Sequence, residues 1–366
     1  MANSRTKIHK SPVFRVAISL VTALALTLIL AYGTMWILVN GPSSTARRLF
    51  VLSVKETSAG GFLADLYLNE AEIQEIVGSD DMPEAEPDQD LSLIVVPDKE
   101  QTPSTDSTDS PAAPDNDTPG ETPETTPPSD EILENDAGIE VIDIRGSTYN
   151  GKMLIISDPM RVFVGVPDSY GENSRGLTVA AMIEKYDCIA GTNAGGFDDP
   201  NGKGTGGIPD GLVIYEGKLM WGEPGGSYNL AGLDQNGILH VGTMTAQRAL
   251  DIGVQYAASY GPALVINGKS AGGKWGLGGG LNPRTAIGQR ADGAILLLVI
   301  NGRSVDSLGA TLDDLASIML AHGAVNASNL DGGSSSLMIM DGEYLTTSAY
   351  LFGERVVATT ILVKRQ

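Results

Sequence analysis

Residues 16–39 contain no charged side chain. At about 1.5 Å per helical residue such a run reaches roughly 36 Å, enough to cross a hydrocarbon core of about 30 Å. It exceeds the roughly 7–15 apolar residues of a cleaved signal peptide, although Ser44-Thr45-Ala46 would serve as a cleavage site. The sequence is therefore read as carrying one transmembrane signal anchor over 16–39. Arg5, Lys7, Lys10 and Arg15 precede it with no acid, whereas Arg47 and Arg48 are mixed with Glu56 and Asp65 behind it. By the positive-inside rule residues 1–15 form a cytoplasmic tail, and the rest of a single-pass protein of the cell membrane lies outside.

Charge then divides the extracellular part. The formal charge is −21, but residues 79–135 alone hold 17 acids against one base, together with 10 of the 19 prolines. Apart from Leu91–Val96 this segment has hardly any large apolar side chain, so it cannot bury enough surface to offset its ordering entropy. It is expected to be a disordered, acidic Pro/Thr/Ser-rich linker that extends by self-repulsion. Residues 40–78 are expected to be a stalk for spacing or self-association, with Asn69 and Glu72 as a capping-box pair and Gly78 as a helix stop. The remaining domain, 137–366, is mildly acidic and offers no basic stripe, which argues against nucleic acid as a partner. Cys188 is the one cysteine. That excludes a disulfide within the chain and points to a buried, inert thiol.

Within 137–366, β-like runs are expected at 139–144, 152–157, 161–166, 187–192, 212–215, 238–242, 263–266, 294–300 and 356–363. Helices are expected near 177–186, 245–251 and 312–322, the last opened by Thr311 with Asp314 three residues on and closed by Gly323. Strands outnumber helices, and Glu216-Gly217, Asn267-Gly268 and Asp341-Gly342 read as hairpin turns. The expected fold class is α+β, a mostly antiparallel or mixed β-sheet packed with a few helices.

Three stretches could carry chemistry. In Asn329-Leu330-Asp331-Gly332-Gly333-Ser334-Ser335-Ser336 a strand breaks, presents one carboxylate and is followed by two glycines and three hydroxyls. The glycines allow the amides of 332–335 to turn toward an anion; a plain Asp-Gly-Gly turn is the alternative. Gly191-Thr192-Asn193-Ala194-Gly195-Gly196-Phe197 repeats that logic around Asn193. Arg284, after Pro283, is suited to bidentate capture of phosphate or carboxylate, and Arg303 is a second candidate of the same kind. The histidines His9, His240 and His322, with no Gly-x-Ser-x-Gly elbow and no H-E-x-x-H, argue against a Ser-His-Asp or zinc hydrolase. Asp198, Asp199 and Asn201 could offer oxygens to Ca²⁺, but their spacing fits no complete calcium loop. No cofactor is expected, with a divalent cation such as Ca²⁺ as the alternative.

The segments GTNAGGF (191–197), GGIPDGLVIYEGKL (206–219), YGPALVINGK (260–269), NPRTAIGQ (282–289), SLGATLDDLASIMLAHGAVNASNLDGGSSS (307–336) and ERVVATTILV (354–363) together resemble the phosphodiester glycosidase family, which includes the lysosomal uncovering enzyme. The resemblance covers essentially all of 137–366 in order, and the anchor, stalk and acidic linker resemble Gram-positive bacterial members described as exopolysaccharide-related. It implies an extracytoplasmic hydrolase acting on a glycosyl phosphodiester in an envelope glycan or exopolysaccharide. On that resemblance Arg284 would clamp the phosphate and Asp331 act as nucleophile or general base. Asn193 would orient sugar or phosphate, with Gly195, Gly196, Arg303, Gly332, Gly333, Ser334 and Ser335 contacting substrate. The family's usual LDGGGSS is LDGGSSS here, with Ser334 for a glycine, and a common aspartate before Gly302 is Asn301. A non-catalytic module that binds phosphodiester-containing wall polymers is the alternative reading.

Overall fold

A computed structural model describes residues 12–57, 60–78, 88–97, 132–136, 138–272, 276–350 and 352–366. Residues 1–11, 58–59, 79–87, 98–131, 137, 273–275 and 351 lie outside the described residues. Among the described residues all strand pairings are antiparallel, and the strands form three sheets. The central one runs, in spatial order, Ile132–Asp136, Ile139–Arg145, Asn150–Ile156, Ile295–Ile300, Arg284–Arg290, Ala324–Leu330, Ala263–Ile266 and Lys269–Ser270. A second sheet comprises Lys218–Trp221, Val213–Tyr215, Val254–Ser259, Ser227–Asp234 and Leu239–Thr245. The third comprises Glu343–Tyr344, Met338–Met340, Cys188–Asn193, Thr360–Lys364 and Val162–Gly165.

The run Ile295-Leu296-Leu297-Leu298-Val299-Ile300 shows why the central sheet sits where it does. Successive strand residues point to opposite faces, and here both faces are buried: Ile295, Leu297 and Val299 join the core shared with the other two sheets. Leu296, Leu298 and Ile300 pack with Leu312, Leu315 and Met319 of the helix Leu312–Ala321. A strand buried on both sides needs continuous rather than alternating apolar residues, which this run supplies.

The N-terminal part builds four helices: α1 (Pro12–Asn40), α2 (Ser44–Lys55), α3 (Phe62–Asp65) and α4 (Glu70–Val77). By length and composition α1 could cross a membrane once, as a membrane anchor or as a signal sequence. Val39 at its end joins Val51, Ala64, Leu68 and Ile73 in a small core of its own, and α4 starts with the expected Asn69–Glu72 capping box.

Two expectations about the segments ahead of the domain change. The stalk is not a free spacer. Ser53 Oγ accepts a hydrogen bond from the Leu281 amide (2.8 Å) and Glu56 one from Asn282 Nδ2 (2.6 Å), so α2 is packed on the domain. Nor is the whole of 79–135 an unattached linker. Asp90 N donates to Asn267 Oδ1 (2.7 Å), Val95 N donates to the Ala291 carbonyl (2.8 Å), and Ile94 is buried. The reason is local: Leu91–Val96 is the one apolar run in that acidic segment, and it has found a surface to cover.

Candidate active site

The central and third sheets meet where a chain segment passes between them. Strand Ala324–Leu330 ends in the central sheet, residues 331–337 cross over, and Met338–Met340 then pairs with Cys188–Asn193 in the third sheet, Met338 opposite Thr192. Asp331 is the first residue of the crossing, and its amide donates to the Ala194 carbonyl at 2.8 Å. The carboxylate is thus held at a seam between two rigid sheets.

Burial raises the Asp331 pKa from 3.8 to about 6. The Ser335 hydroxyl, the Arg355 guanidinium and the Gly332 amide act in the opposite direction, while Asp199 adds to the rise. Ser335 Oγ lies against the carboxylate without meeting full hydrogen-bond geometry.

The backbone of this turn does not behave as the sequence suggested. The Gly332 amide faces the Asp331 carboxylate, Gly333 N donates to the Pro283 carbonyl (2.8 Å), and Ser335 N closes a 3₁₀ turn onto the Gly332 carbonyl (3.2 Å). These amides position Asp331 instead of forming an open anion nest. Gly333 is needed for two reasons: its φ is +60°, and an added Cβ would lie 3.2 Å from the Arg303 guanidinium.

Three arginines converge on the seam. Arg284 leads the strand Arg284–Arg290 and is only 3% exposed. Its Nε donates to the Ala310 carbonyl (3.1 Å) and its Nη2 to the carbonyls of Gly278 (3.1 Å) and Gly280 (2.8 Å), which fixes the fork. Arg303 adopts φ +56° and donates from Nε and Nη2 to Asn282 Oδ1 at 3.3 and 3.0 Å. Burial lowers its pKa, Glu56 raises it, and Arg284 and Arg355 lower it further, so these charges sense one another. Arg355 pairs with Asp199, donates to Ser334 Oγ (2.9 Å) and stacks over the Phe197 ring at 4.7 Å.

Tyr260 lines the same region. Burial first, then the charges of Asp331 and Glu56, raise its pKa far above the usual phenol range. Arg355, Asp199, Asn282 and Tyr260 were not singled out from sequence as substrate contacts. Arg355 stands in the segment ERVVATTILV, but beside Glu354 it reads as an ordinary ion pair. In fact Glu354 caps the Ala180 amide (2.9 Å) and leaves Arg355 to the site.

Asn193, Gly195 and Gly196 are brought to the seam in different roles from those expected. Asn193 is 0% exposed. Its Nδ2 donates to the Asp331 carbonyl, and its Oδ1 accepts from Thr285 Oγ1 (2.8 Å) and the Leu337 amide (3.3 Å). It braces the Asp331 turn and has no surface left for a sugar. The Gly195 amide donates to Thr359 Oγ1 (2.8 Å) and that of Gly196 to the Ser259 carbonyl (3.2 Å), so neither is offered to a ligand. Their bareness serves packing: a Cβ on Gly195 would meet Ser259 O at 2.9 Å, and one on Gly196 the Tyr260 ring at 3.0 Å. Asn301, which replaces a carboxylate in the pattern read from sequence, donates to Asn150 Oδ1 (2.7 Å) and accepts from the Thr347 amide (2.8 Å). Among the described residues no group of three or more His, Cys, Asp or Glu side chains is arranged to hold a metal ion.

The phosphodiester glycosidase family model matches residues 186–364. An uncharacterized SPbeta prophage-derived protein of Bacillus subtilis, YomE, is 30% identical over 206 residues, covering 53% of this chain and 31% of that protein. The mouse N-acetylglucosamine-1-phosphodiester alpha-N-acetylglucosaminidase is 25% identical over 223 residues, covering 55% of this chain and 42% of that protein. The chain therefore spans less than half the length of these curated relatives. Among solved structures, the zebrafish N-acetylglucosamine-1-phosphodiester alpha-N-acetylglucosaminidase catalytic domain, described as auto-inhibited by its pro-peptide, superposes with a TM-score of 0.52 at 20% identity. That alignment covers 65% of this chain and 88% of the zebrafish chain, and it establishes likeness of fold.

Proposed function

We propose that this chain, whose residues 186–364 match the phosphodiester glycosidase family model, hydrolyses a sugar-1-phosphodiester, with Asp331 as the reacting carboxylate and Arg284 and Arg303 as the phosphate clamp. The observation that carries the reading is the placement of one carboxylate of pKa about 6 at a seam that three guanidinium groups share. In such a diester the leaving group is a phosphomonoester whose last ionisation lies near pH 6, so it departs without a strong general acid. What the reaction needs is an anion clamp, and a carboxylate that is ionised near neutrality to stabilise an oxocarbenium-like centre or activate water.

Each residue has a part in that division of labour. The Arg284 fork presents two parallel donors, the geometry suited to two phosphate oxygens. Asp331, ionised above about pH 6, faces the anomeric carbon as nucleophile or base. Arg355 limits the rise of the Asp331 pKa and holds Ser334 in place. Asn193 acts as a positioning residue through the Asp331 carbonyl.

The same reading takes α1 as a membrane anchor with the domain outside the cell, on the asymmetry of Arg5, Lys7, Lys10 and Arg15 across the apolar run, and takes a glycosyl phosphodiester of an envelope polysaccharide as substrate. The test is sugar release from an N-acetylglucosamine-1-phospho-sugar diester by the purified chain, beside Asp331→Asn. Release that disappears in the variant supports the assignment. Binding of a phosphodiester polymer with no release from a panel of glycosyl phosphodiesters would leave a binding module instead.

A further inference from the structure

Helix α1 has 29 residues. That is about 43 Å, close to the full thickness of a bilayer with its headgroups, whereas about 20 helical residues already cross a hydrocarbon core of about 30 Å. A span that begins at the first turn of α1 is therefore complete near Tyr32, and the last two turns stand at headgroup level. Tyr32 and, one turn on, Trp36 are exposed there, the placement of an interfacial aromatic belt. Tyr67 reaches the same level from outside the helix: its hydroxyl donates to the Tyr32 carbonyl at 3.2 Å, and the two rings lie 5.0 Å apart. Phe62 and Leu66, just ahead of Tyr67, are exposed as well.

From that level to the seam the path is one short helix. Val39 of α1 and Val51 of α2 share a small core. Glu56 lies about 8 Å further along α2, where it pairs with Arg284 and accepts from Asn282 Nδ2. The helix rests directly on the domain backbone, since a Cβ on Gly280 would come 2.6 Å from the Ser53 amide nitrogen. Arg303 donates to the same Asn282, so its loop starts where α2 ends. That loop carries Val305, 99% exposed, and the exposed Leu308. The neighbouring loop, which supplies Arg355, carries Phe352, 83% exposed and edge-on to Tyr350. The Thr347 amide joins the two loops through Asn301. A single exposed apolar side chain is ordinary. Three of them on two joined loops, each loop supplying a site arginine, form an apolar rim.

We propose that this rim lies against the bilayer that holds the chain's own anchor, and that the substrate is a glycan joined through a sugar-1-phosphodiester to a lipid of that bilayer. The proposal rests on the readings of α1 as an anchor and of the seam as a hydrolytic site. Water supplies the new bond to the anomeric carbon and gives up its proton. The old bond from that carbon to the phosphate oxygen breaks with its electron pair on the phosphate, so the products are a free sugar end and a lipid phosphomonoester. The lipid chain stays in the membrane throughout, and Val305, Leu308 and Phe352 need only meet the bilayer surface. A site and a substrate confined to one surface meet at an effective concentration far above their bulk values, without any added contact.

The experiment uses the full chain reconstituted into phosphatidylcholine–phosphatidylglycerol vesicles and has two readouts. In the first, a fluorophore is attached at Val305→Cys, Phe352→Cys or Arg365→Cys, and quenching by a headgroup-labelled lipid is measured. Cys188 is buried, so the introduced thiol takes the label. Arg365 is the reference because it follows Lys364, which faces Cys188, while Thr360 at the other end of that strand faces Asn193 at the seam. In the second, sugar release from N-acetylglucosamine-1-phospho-polyprenol in the same vesicles is compared with release from the soluble N-acetylglucosamine-1-phospho-sugar diester at equal total concentration. Labels at 305 and 352 should be quenched more strongly than the label at 365, and the lipid-linked diester should be cleaved at least about tenfold faster. Quenching at 305 and 352 no stronger than at 365 overturns the proposal, as does cleavage of the soluble diester as fast as the lipid-linked one. Quenching is read without turnover, so the readings fail separately. No release from either diester removes the hydrolase and the lipid-linked substrate, while stronger quenching at the rim keeps the domain on the bilayer; brisk release from the soluble diester with no quenching contrast does the reverse.

Discussion

Replacing Asp331 with asparagine should abolish turnover and at the same time stabilise the protein. Burial lifts the Asp331 pKa from 3.8 to about 6, net of the lowering by Ser335, Arg355 and Gly332. A difference of about two pKa units corresponds to roughly 3 kcal/mol; Asp331 as a residue is only part-buried, so about 1–3 kcal/mol is the expected scale. The sign follows from linkage. The folded state holds the Asp331 proton more tightly than the unfolded chain does, so the ionised carboxylate costs stability fully above about pH 6. As pH falls from about 6 toward 3.8 that cost disappears, because below both values the group is protonated in either state. Asparagine imitates the protonated form and keeps an acceptor for the Gly332 amide. The variant should melt roughly 2–12 °C above the native protein at pH 7.5, given about 2–4 °C per kcal/mol for a domain of this size. The gap should shrink steadily toward pH 4. Differential scanning fluorimetry across that range, paired with the sugar-release assay, checks both halves. A variant no more stable than the native protein at pH 7.5, or a gap that ignores pH, would show that Asp331 is not held ionised against its environment; retained turnover would remove it from the chemistry.

The pH–rate profile of the native protein should rise through about pH 6 as Asp331 ionises, and Arg355→Gln should move that limb to higher pH, because the guanidinium lowers the Asp331 pKa; a limb that stays in place would separate the two groups. Arg284→Lys should raise KM by about 10–100-fold with a smaller change in kcat, since an ammonium cannot supply the parallel fork, and steady-state kinetics on the diester would show it. Gly195→Ala should destabilise by about 1–3 kcal/mol through overpacking, because its Cβ would meet Ser259 O at 2.9 Å and Thr359 Oγ1 at 3.0 Å. Urea unfolding that finds Gly195→Ala neutral would show that the two sheets yield at this seam.

How much of this was legible in the sequence depends on how local each signal is. The helix Leu312–Ala321 was marked at both ends by its own residues, Thr311 with Asp314 at the start and Gly323 at the end. The strand Ile295–Ile300 announced itself as an unbroken apolar run. Strand Arg284–Arg290 did not, because Arg284, Gly288 and Gln289 break any apolar alternation. Its place is fixed by pairing with Ile295–Ile300 and Ala324–Leu330 on either side, and by Gln289, whose amide donates to the Gly237 carbonyl at 2.7 Å. The strands Ser227–Asp234 and Val254–Ser259 were equally silent, since their burial comes from each other and from Leu239–Thr245.

The same distinction governs the site. Asp331 and Asn193 were found because each ends a strand beside glycines, a signal contained within a few residues. Their roles were not found, since whether a buried amide meets a ligand or braces a turn depends on Thr285 and Leu337, which are remote in sequence. Glu56 is the extreme case. It stands in a segment that composition marks as a stalk, 228 residues before the arginine it neutralises, and nothing around it distinguishes it from a surface carboxylate. Its pairing with Arg284 depends on the packing of α2 against Gly280, where an added Cβ would come 2.6 Å from the Ser53 amide nitrogen. A contact made across 228 residues thus leaves its mark only on the partner, in the bare backbone of Gly280.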